Sequence, residues 1–175
     1  QYVSFQYPVN YMTDFLDETA GAVLMSGTLS PLSMFRDLVG LKPESELERF
    51  DSIFPKENKL VRYVSDVSTS YKELNSNPKV WVQLIDKLES IITNFDGNTA
   101  LFFPSYKILE SALNEITLSK PIYKEYSGMK QEELMNTVES FKSDRGSILA
   151  GVMGGRLAEG IDYPDTSLEM AIIVG

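Results

Sequence analysis

Two five-residue runs, Thr99-Ala100-Leu101-Phe102-Phe103 and Ile148-Leu149-Ala150-Gly151-Val152, are apolar almost end to end. No other feature limits the fold as much. A strand with one face in water alternates apolar and polar residues, whereas one that is apolar throughout must be covered on both faces. Amphipathic patterns lie around these runs. In the window Pro78–Phe95, Val80, Trp81, Leu84, Ile85, Leu88, Ile91, Ile92 and Phe95 recur at steps of one, three and four, which makes one helical stripe. Trp81 is in phase with that stripe and reads as core rather than as a base-stacking platform. A second stripe runs through Ile108, Leu109, Ala112, Leu113 and Ile116, and a third through Leu134, Met135, Val138 and Phe141. Ile122–Tyr126 and the closing Met170–Gly175 read as further strands. The predicted fold class is α/β, a parallel sheet with helices on both faces. Ligands of such sheets sit at the carboxyl ends of the strands.

The first third of the chain is less regular. Tyr2–Gln6 and Ala22–Met25 read as strands and Tyr11–Thr19 as a helix. Ser30-Pro31 predicts a helix start, with Ser30 as N-cap and Pro31 in the first position, and Gly40 supplies the stop. Leu41–Asp51 is acidic and poor in apolar residues, as a linker or exposed excursion would be. Leu60–Val64 opens a second alternating unit. The sequence begins and ends inside strand-like text, so it is expected to be part of something larger.

Composition excludes several chemistries. Cysteine and histidine are both absent, which removes thiol nucleophiles, histidine bases, typical zinc sites and disulfides together; no metal site is predicted. A hydrophobic fraction of 43% supports a real core. There is no apolar run of membrane-spanning length and no signal-peptide pattern, so no membrane partner is expected. The expected location is inside a cell, cytoplasmic in a microbe or nuclear in a eukaryote. The net charge of −9 argues against a surface coated in nucleic acid, but screening leaves room for a narrow basic groove.

Three segments at strand ends carry the candidate chemistry. Ser26-Gly27-Thr28-Leu29-Ser30-Pro31 places three hydroxyls around one glycine, and these either relay hydrogen bonds from a nucleotide site or simply cap the next helix. Pro104-Ser105-Tyr106 opens a helix after a buried strand. Its amides suit a phosphate, while the plain alternative is an N-cap with a packed tyrosine. Gly154-Gly155-Arg156-Leu157-Ala158-Glu159-Gly160-Ile161-Asp162-Tyr163-Pro164 offers a glycine pair, a cation and two carboxylates after the apolar run at 148. It reads either as a turn that touches a polyanion or as an ordinary strand-to-loop turn.

In this order Ser26–Pro31, Leu101-Phe102-Phe103-Pro104-Ser105-Tyr106 and Gly154–Tyr163 resemble motifs III, IV and V of the XPD/DinG-type DNA helicases of superfamily 2, with the XPD branch, in a microbial version, the nearer likeness. Phe54-Pro55-Lys56-Glu57-Asn58 and Val67-Ser68-Thr69-Ser70-Tyr71-Lys72 stand where that family carries similar text. The resemblance implies a motor of two RecA-like domains that closes on ATP and Mg²⁺ and steps 5′ to 3′ along single-stranded DNA, its work being nucleotide excision repair. Residues 1–40 would then be the end of the first motor domain, 41–51 a linker, and 52–175 a second motor domain that stops before motif VI. By motif position, Ser26, Gly27 and Thr28 would couple nucleotide state to closure. Ser105, Tyr106, Gly154, Gly155 and Arg156 would face DNA, and Glu159, Gly160 and Asp162 would border the ATP cleft.

The departures bear on activity. The chain has no G-x-x-x-x-G-K-[ST] loop and no assignable Walker B box. The family's 4Fe–4S cluster belongs to the first motor domain, and a chain without cysteine would not bind it. ATP and Mg²⁺ would sit at the interface with that domain. The implied partners are single-stranded DNA, the rest of the same polypeptide (first motor domain, iron–sulfur and arch regions) and repair proteins. Alone, the chain is expected to be inactive. Other readings are a non-catalytic RecA-like module binding DNA or protein, a DinG-type damage-response helicase, or a Rossmann-like sugar-nucleotide enzyme.

Overall fold

The computed structural model describes residues 9–175, so the strand expected over Tyr2–Gln6 lies outside the described residues. The chain divides into two compact units, one up to Val61 and one over Arg62–Gly175. The first contains α1 (Val9–Asp17) and α2 (Leu32–Val39). As expected, Gly40 ends α2: at φ 75° its N–H turns back to the carbonyls of Arg36 and Asp37, the left-handed stop that glycine adopts most readily. Ser30 does not cap the helix. Pro31 takes the capping position without a side-chain bond, and the Ser30 N–H turns back to the Thr28 carbonyl at 2.8 Å.

Neither early strand forms. Ala22–Met25 and Leu60–Val64 carry no ladder, and Val23, Met25 and Tyr63 are 90%, 89% and 92% exposed. Apolar composition signals burial, but a strand also needs a partner to take its backbone groups. None lies beside these runs among the described residues.

The second unit realises the predicted α/β architecture. After α3 (Tyr71–Ser76), α4 (Pro78–Thr93) starts at Pro78, with Asn77 capping through its side chain. Then follow β1 (Thr99–Phe103), α5 (Tyr106–Glu115), β2 (Ile122–Lys124), α6 (Gln131–Ser143), β3 (Ile148–Val152) and β4 (Met170–Ile173). The four strands form one parallel sheet in the order β2-β3-β1-β4, with Thr99 level with both Ile148 and Met170. One face packs Leu101, Phe103, Ile148 and Ala150 against Leu84, Leu88 and Ile92 of α4 and Leu109 and Ala112 of α5. The other packs Leu149 against Leu134, Val138 and Phe141 of α6 and against Leu157. The chain leaves β1 toward one edge and β3 toward the other, so their carboxyl ends form the switch point where such sheets bind ligands.

At the opposite, amino end, one side chain gathers the entries to the sheet. Asn98 is 2% exposed. Its Nδ2 donates to the carbonyls of Phe141 (3.3 Å) and Ser167 (3.1 Å), and its Oδ1 accepts the Gly146 N–H at 2.7 Å. Its carbonyl accepts the N–H groups of Glu169 and Met170. Removing a buried group of this kind strands its partners without water. Asn98→Ala should therefore cost about 3 kcal/mol, read in urea unfolding followed by the fluorescence of Trp81. An unchanged midpoint would remove Asn98 from this role.

Candidate nucleic-acid interface

Two turns leave the carboxyl end side by side, and the Met153 N–H donates to the Phe103 carbonyl at 2.8 Å where they part. The first is Pro104-Ser105-Tyr106. Ser105 is the N-cap of α5, its Oγ accepting the Ile108 N–H at 3.4 Å. Tyr106 is half-buried, and its hydroxyl points inward, donating to Glu125 Oε1 at 2.8 Å. Burial first, and then this carboxylate, push the Tyr106 phenol above its usual range.

The second turn runs from Met153 to Tyr163. Its glycine pair has two distinct jobs. Gly154 sits at φ 70° with open space where a Cβ would go, a backbone shape other residues adopt at a cost. At Gly155 a Cβ would lie 2.9 Å from both the Val152 carbonyl oxygen and Glu125 Oε2, so glycine here permits close packing of the chain on itself. Arg156 follows, with a side chain 42% exposed and its guanidinium held on three sides. Nη2 donates to the Met129 carbonyl at 2.6 Å, Nη1 reaches Gln131 Oε1 at 3.4 Å, and Nε lies 3.9 Å from Glu125 Oε1. Leu157 is buried beneath the turn. Glu159, Gly160 and Asp162 are on its outer, exposed stretch, with Gly160 at φ 77° and open space around it.

The structure thus brings Ser105, Tyr106, Gly154, Gly155 and Arg156 to one end of the sheet, with Glu159, Gly160 and Asp162 on the continuation of the same loop. Ser26, Gly27 and Thr28 belong to the other unit, where they are exposed and form a local turn: Ser26 Oγ lies 3.2 Å from Thr28 Oγ1 and accepts the Thr28 N–H at 3.2 Å. Sequence reasoning missed Glu125 altogether. The only signal was an acidic residue directly after a short strand, at the end of the sheet where ligands bind. A shallow concavity of about 270 Å³ lies at the opposite end beside Asn98. Its two cations are already paired, Lys142 with Glu139 at 3.0 Å and Arg145 with Glu169 at 3.8 Å.

Residues 88–175, half of the chain, match the helicase C-terminal domain family. The chain belongs to that family. Residues 10–73 are similar to the helical and beta-bridge domain. Among curated proteins, the chain is 29% identical over 196 aligned residues to the ATP-dependent DNA helicase chl1 of Aspergillus niger, covering 96% of this chain and 22% of the relative. It is 27% identical to the ATP-dependent DNA helicase CHL1 of Debaryomyces hansenii, covering 96% and 23%. For the protein of the same name in Candida albicans the figures are 26%, 96% and 22%. The chain spans about a fifth of the length of these relatives. Among the described residues, no helix is long and apolar enough to cross a membrane.

Tyr163 closes the loop over the helical face, its hydroxyl donating to the Leu157 carbonyl at 3.1 Å and its ring edge-on to Phe141. Burial, and then the Glu125 charge, push its phenol up to about 12. An unfolded chain gives up this proton near pH 10 while the folded chain keeps it. Stability contributed by Tyr163 is thus fully present below pH 10 and is lost as the pH rises toward 12. Tyr163→Phe should flatten the fall of the urea midpoint between pH 10 and 12. An identical fall in both proteins would contradict that burial.

Proposed function

We propose that this chain is part of an ATP-dependent DNA helicase of the XPD/DinG type, which couples ATP hydrolysis to 5′-to-3′ translocation on single-stranded DNA. The supporting observation is Arg156: a cation held in place by its own chain, yet partly exposed, at the switch point of a helicase C-terminal sheet. A fixed guanidinium with spare N–H groups suits a phosphate better than a free lysine does. Phosphate contacts position a strand without reading its sequence, which is what a translocating motor needs. The net charge of −9 is no obstacle, because exposed charges beyond a Debye length are screened.

In this reading residues 1–40 close the first motor domain, 41–51 link, and 52–175 form most of the second. Ser105, Tyr106 and the Gly154–Arg156 turn line the DNA track. The loop carrying Glu159, Gly160 and Asp162 is exposed, and Asp162 would accept from a ribose hydroxyl or hold an arginine there. ATP hydrolysis would supply the free energy for stepping. Ser26, Gly27 and Thr28 would transmit nucleotide state to closure through their hydroxyls. Mg²⁺ needs only one or two carboxylates beside the phosphates of a nucleotide, and it would sit with ATP at the interface with the first motor domain. Its ligands, like the phosphate loop and the 4Fe–4S cluster, are assigned to the first motor domain, together with the arch region. XPD-type excision repair, with repair proteins as partners, is the role proposed for the whole polypeptide, inside the cell. The second reading is a CHL1-type helicase, favoured by the names of the relatives.

Two variants of the full-length polypeptide test these roles. Arg156→Ala should weaken single-stranded DNA binding and reduce the salt slope by about one unit, with little sequence dependence. Asp162→Ala should abolish DNA-stimulated ATP hydrolysis and largely keep DNA binding. An unchanged salt slope would end the phosphate role of Arg156. A collapse of DNA affinity in the Asp162 variant, with melting unchanged, would move that residue to the DNA track.

A further inference from the structure

The carboxyl end of the sheet buries one charged group that no motor role above uses. Glu125 follows β2 directly and is 1% exposed. Its Oε1 accepts the Tyr106 hydroxyl at 2.8 Å and stands 3.9 Å from Arg156 Nε. Its Oε2 is buried without a hydrogen-bond partner and lies where Cβ atoms on Gly151 and Gly155 would come within 3.2 and 2.9 Å. A carboxylate is expensive to bury unless a cation or donors compensate it. Here the compensating groups come from the two turns that face the proposed DNA track.

We infer that Glu125 is a positioning residue for DNA binding, one that fixes Arg156 and ties it to the turn carrying Tyr106. The inference rests on the reading of Arg156 as a phosphate contact. Two groups of the segment between β2 and α6 and the first residue of α6 hold the guanidinium: Glu125 at Nε, the Met129 carbonyl at Nη2 and Gln131 at Nη1. Of the five N–H groups of a guanidinium, one on Nη2 and one on Nη1 are bonded to Met129 and Gln131, and the Nε–H faces Glu125 across 3.9 Å; the second N–H on each of Nη1 and Nη2 remains for a phosphate. An arginine already held in one geometry loses little further freedom when the phosphate arrives. The carboxylate also acts in the opposite sense, since its negative charge reduces the pull on an anion. The two effects predict opposite results when the charge is removed, so the experiment separates them. Orientation is expected to dominate because Nε faces the carboxylate directly, while a phosphate on the outer N–H groups would be farther from it and Coulomb repulsion falls with distance.

The test is a double-mutant cycle in the full-length polypeptide, with a single-stranded oligothymidylate read by fluorescence anisotropy across a salt series. Glu125→Gln keeps the shape of the side chain and an acceptor for Tyr106. It should weaken binding about threefold to tenfold, within the range of couplings between touching residues, and leave the salt slope unchanged, because Arg156 still meets the strand. In an Arg156→Ala background the same change should have no further effect. Equal losses in both backgrounds would reduce Glu125 to a fold residue. Unchanged or tighter binding would make it a counter-charge and overturn the inference. If Arg156→Ala alone changed neither affinity nor slope, the phosphate reading itself would fall, and the inference with it. Glu125→Asp, which keeps the charge but withdraws it by one methylene, carries the same cycle with the same expected pattern if the Gln variant does not fold.

Discussion

The sheet depends on burying both faces of β1 and β3 at once. All five residues of β3 and four of the five in β1 are buried, so neither strand exists without helices above and below. Each fully buried Leu, Ile or Phe contributes roughly 1.5–3 kcal/mol, which makes the two clusters, α4 with α5 on one side and α6 on the other, the main source of stability. That arrangement also dictates where chemistry can occur. Parallel strands send every connection over a face, so the carboxyl ends of the two central strands are left to short turns. Those turns are Pro104-Ser105-Tyr106 and the loop from Met153 to Tyr163.

At that end, packing and electrostatics use the same atoms. Gly155 gives Glu125 room to approach, Glu125 meets Tyr106 and Arg156, and Leu157 anchors the turn in the core. Arg156 is therefore placed by the fold rather than by its own rotamer preference. A chain of net charge −9 can offer a cation to a polyanion under these conditions, because what matters is one oriented guanidinium within a few ångströms and not the total charge.

The central strands and their helices were legible in the sequence because the signal is local. Runs with no polar alternation mark two-sided burial, and the stripe Leu84, Ile85, Leu88, Ile92 follows the helical period. Ala22–Met25 and Leu60–Val64 have similar composition and remain unpaired, since strand formation depends on a partner that composition does not reveal. Ser30 looked like a cap and became part of a turn through a single backbone bond to Thr28. Among the candidate site residues, the clustering of Ser105, Tyr106 and the Gly154–Arg156 turn followed from their positions after adjacent strands. The inward direction of the Tyr106 hydroxyl did not. Glu125 was invisible for the same reason: one acidic residue after Ile122-Tyr123-Lys124 has no motif, and its burial is set by glycines on a neighbouring strand and turn.

The most direct measurement is DNA-stimulated ATP hydrolysis by the full-length polypeptide beside this chain alone, under identical conditions. Hydrolysis by the full-length protein and none by the chain is the result expected of a motor whose phosphate loop lies elsewhere in the polypeptide. Hydrolysis by the chain alone would contradict that division of labour. Silence from a folded full-length protein would contradict the motor itself and leave a binding module.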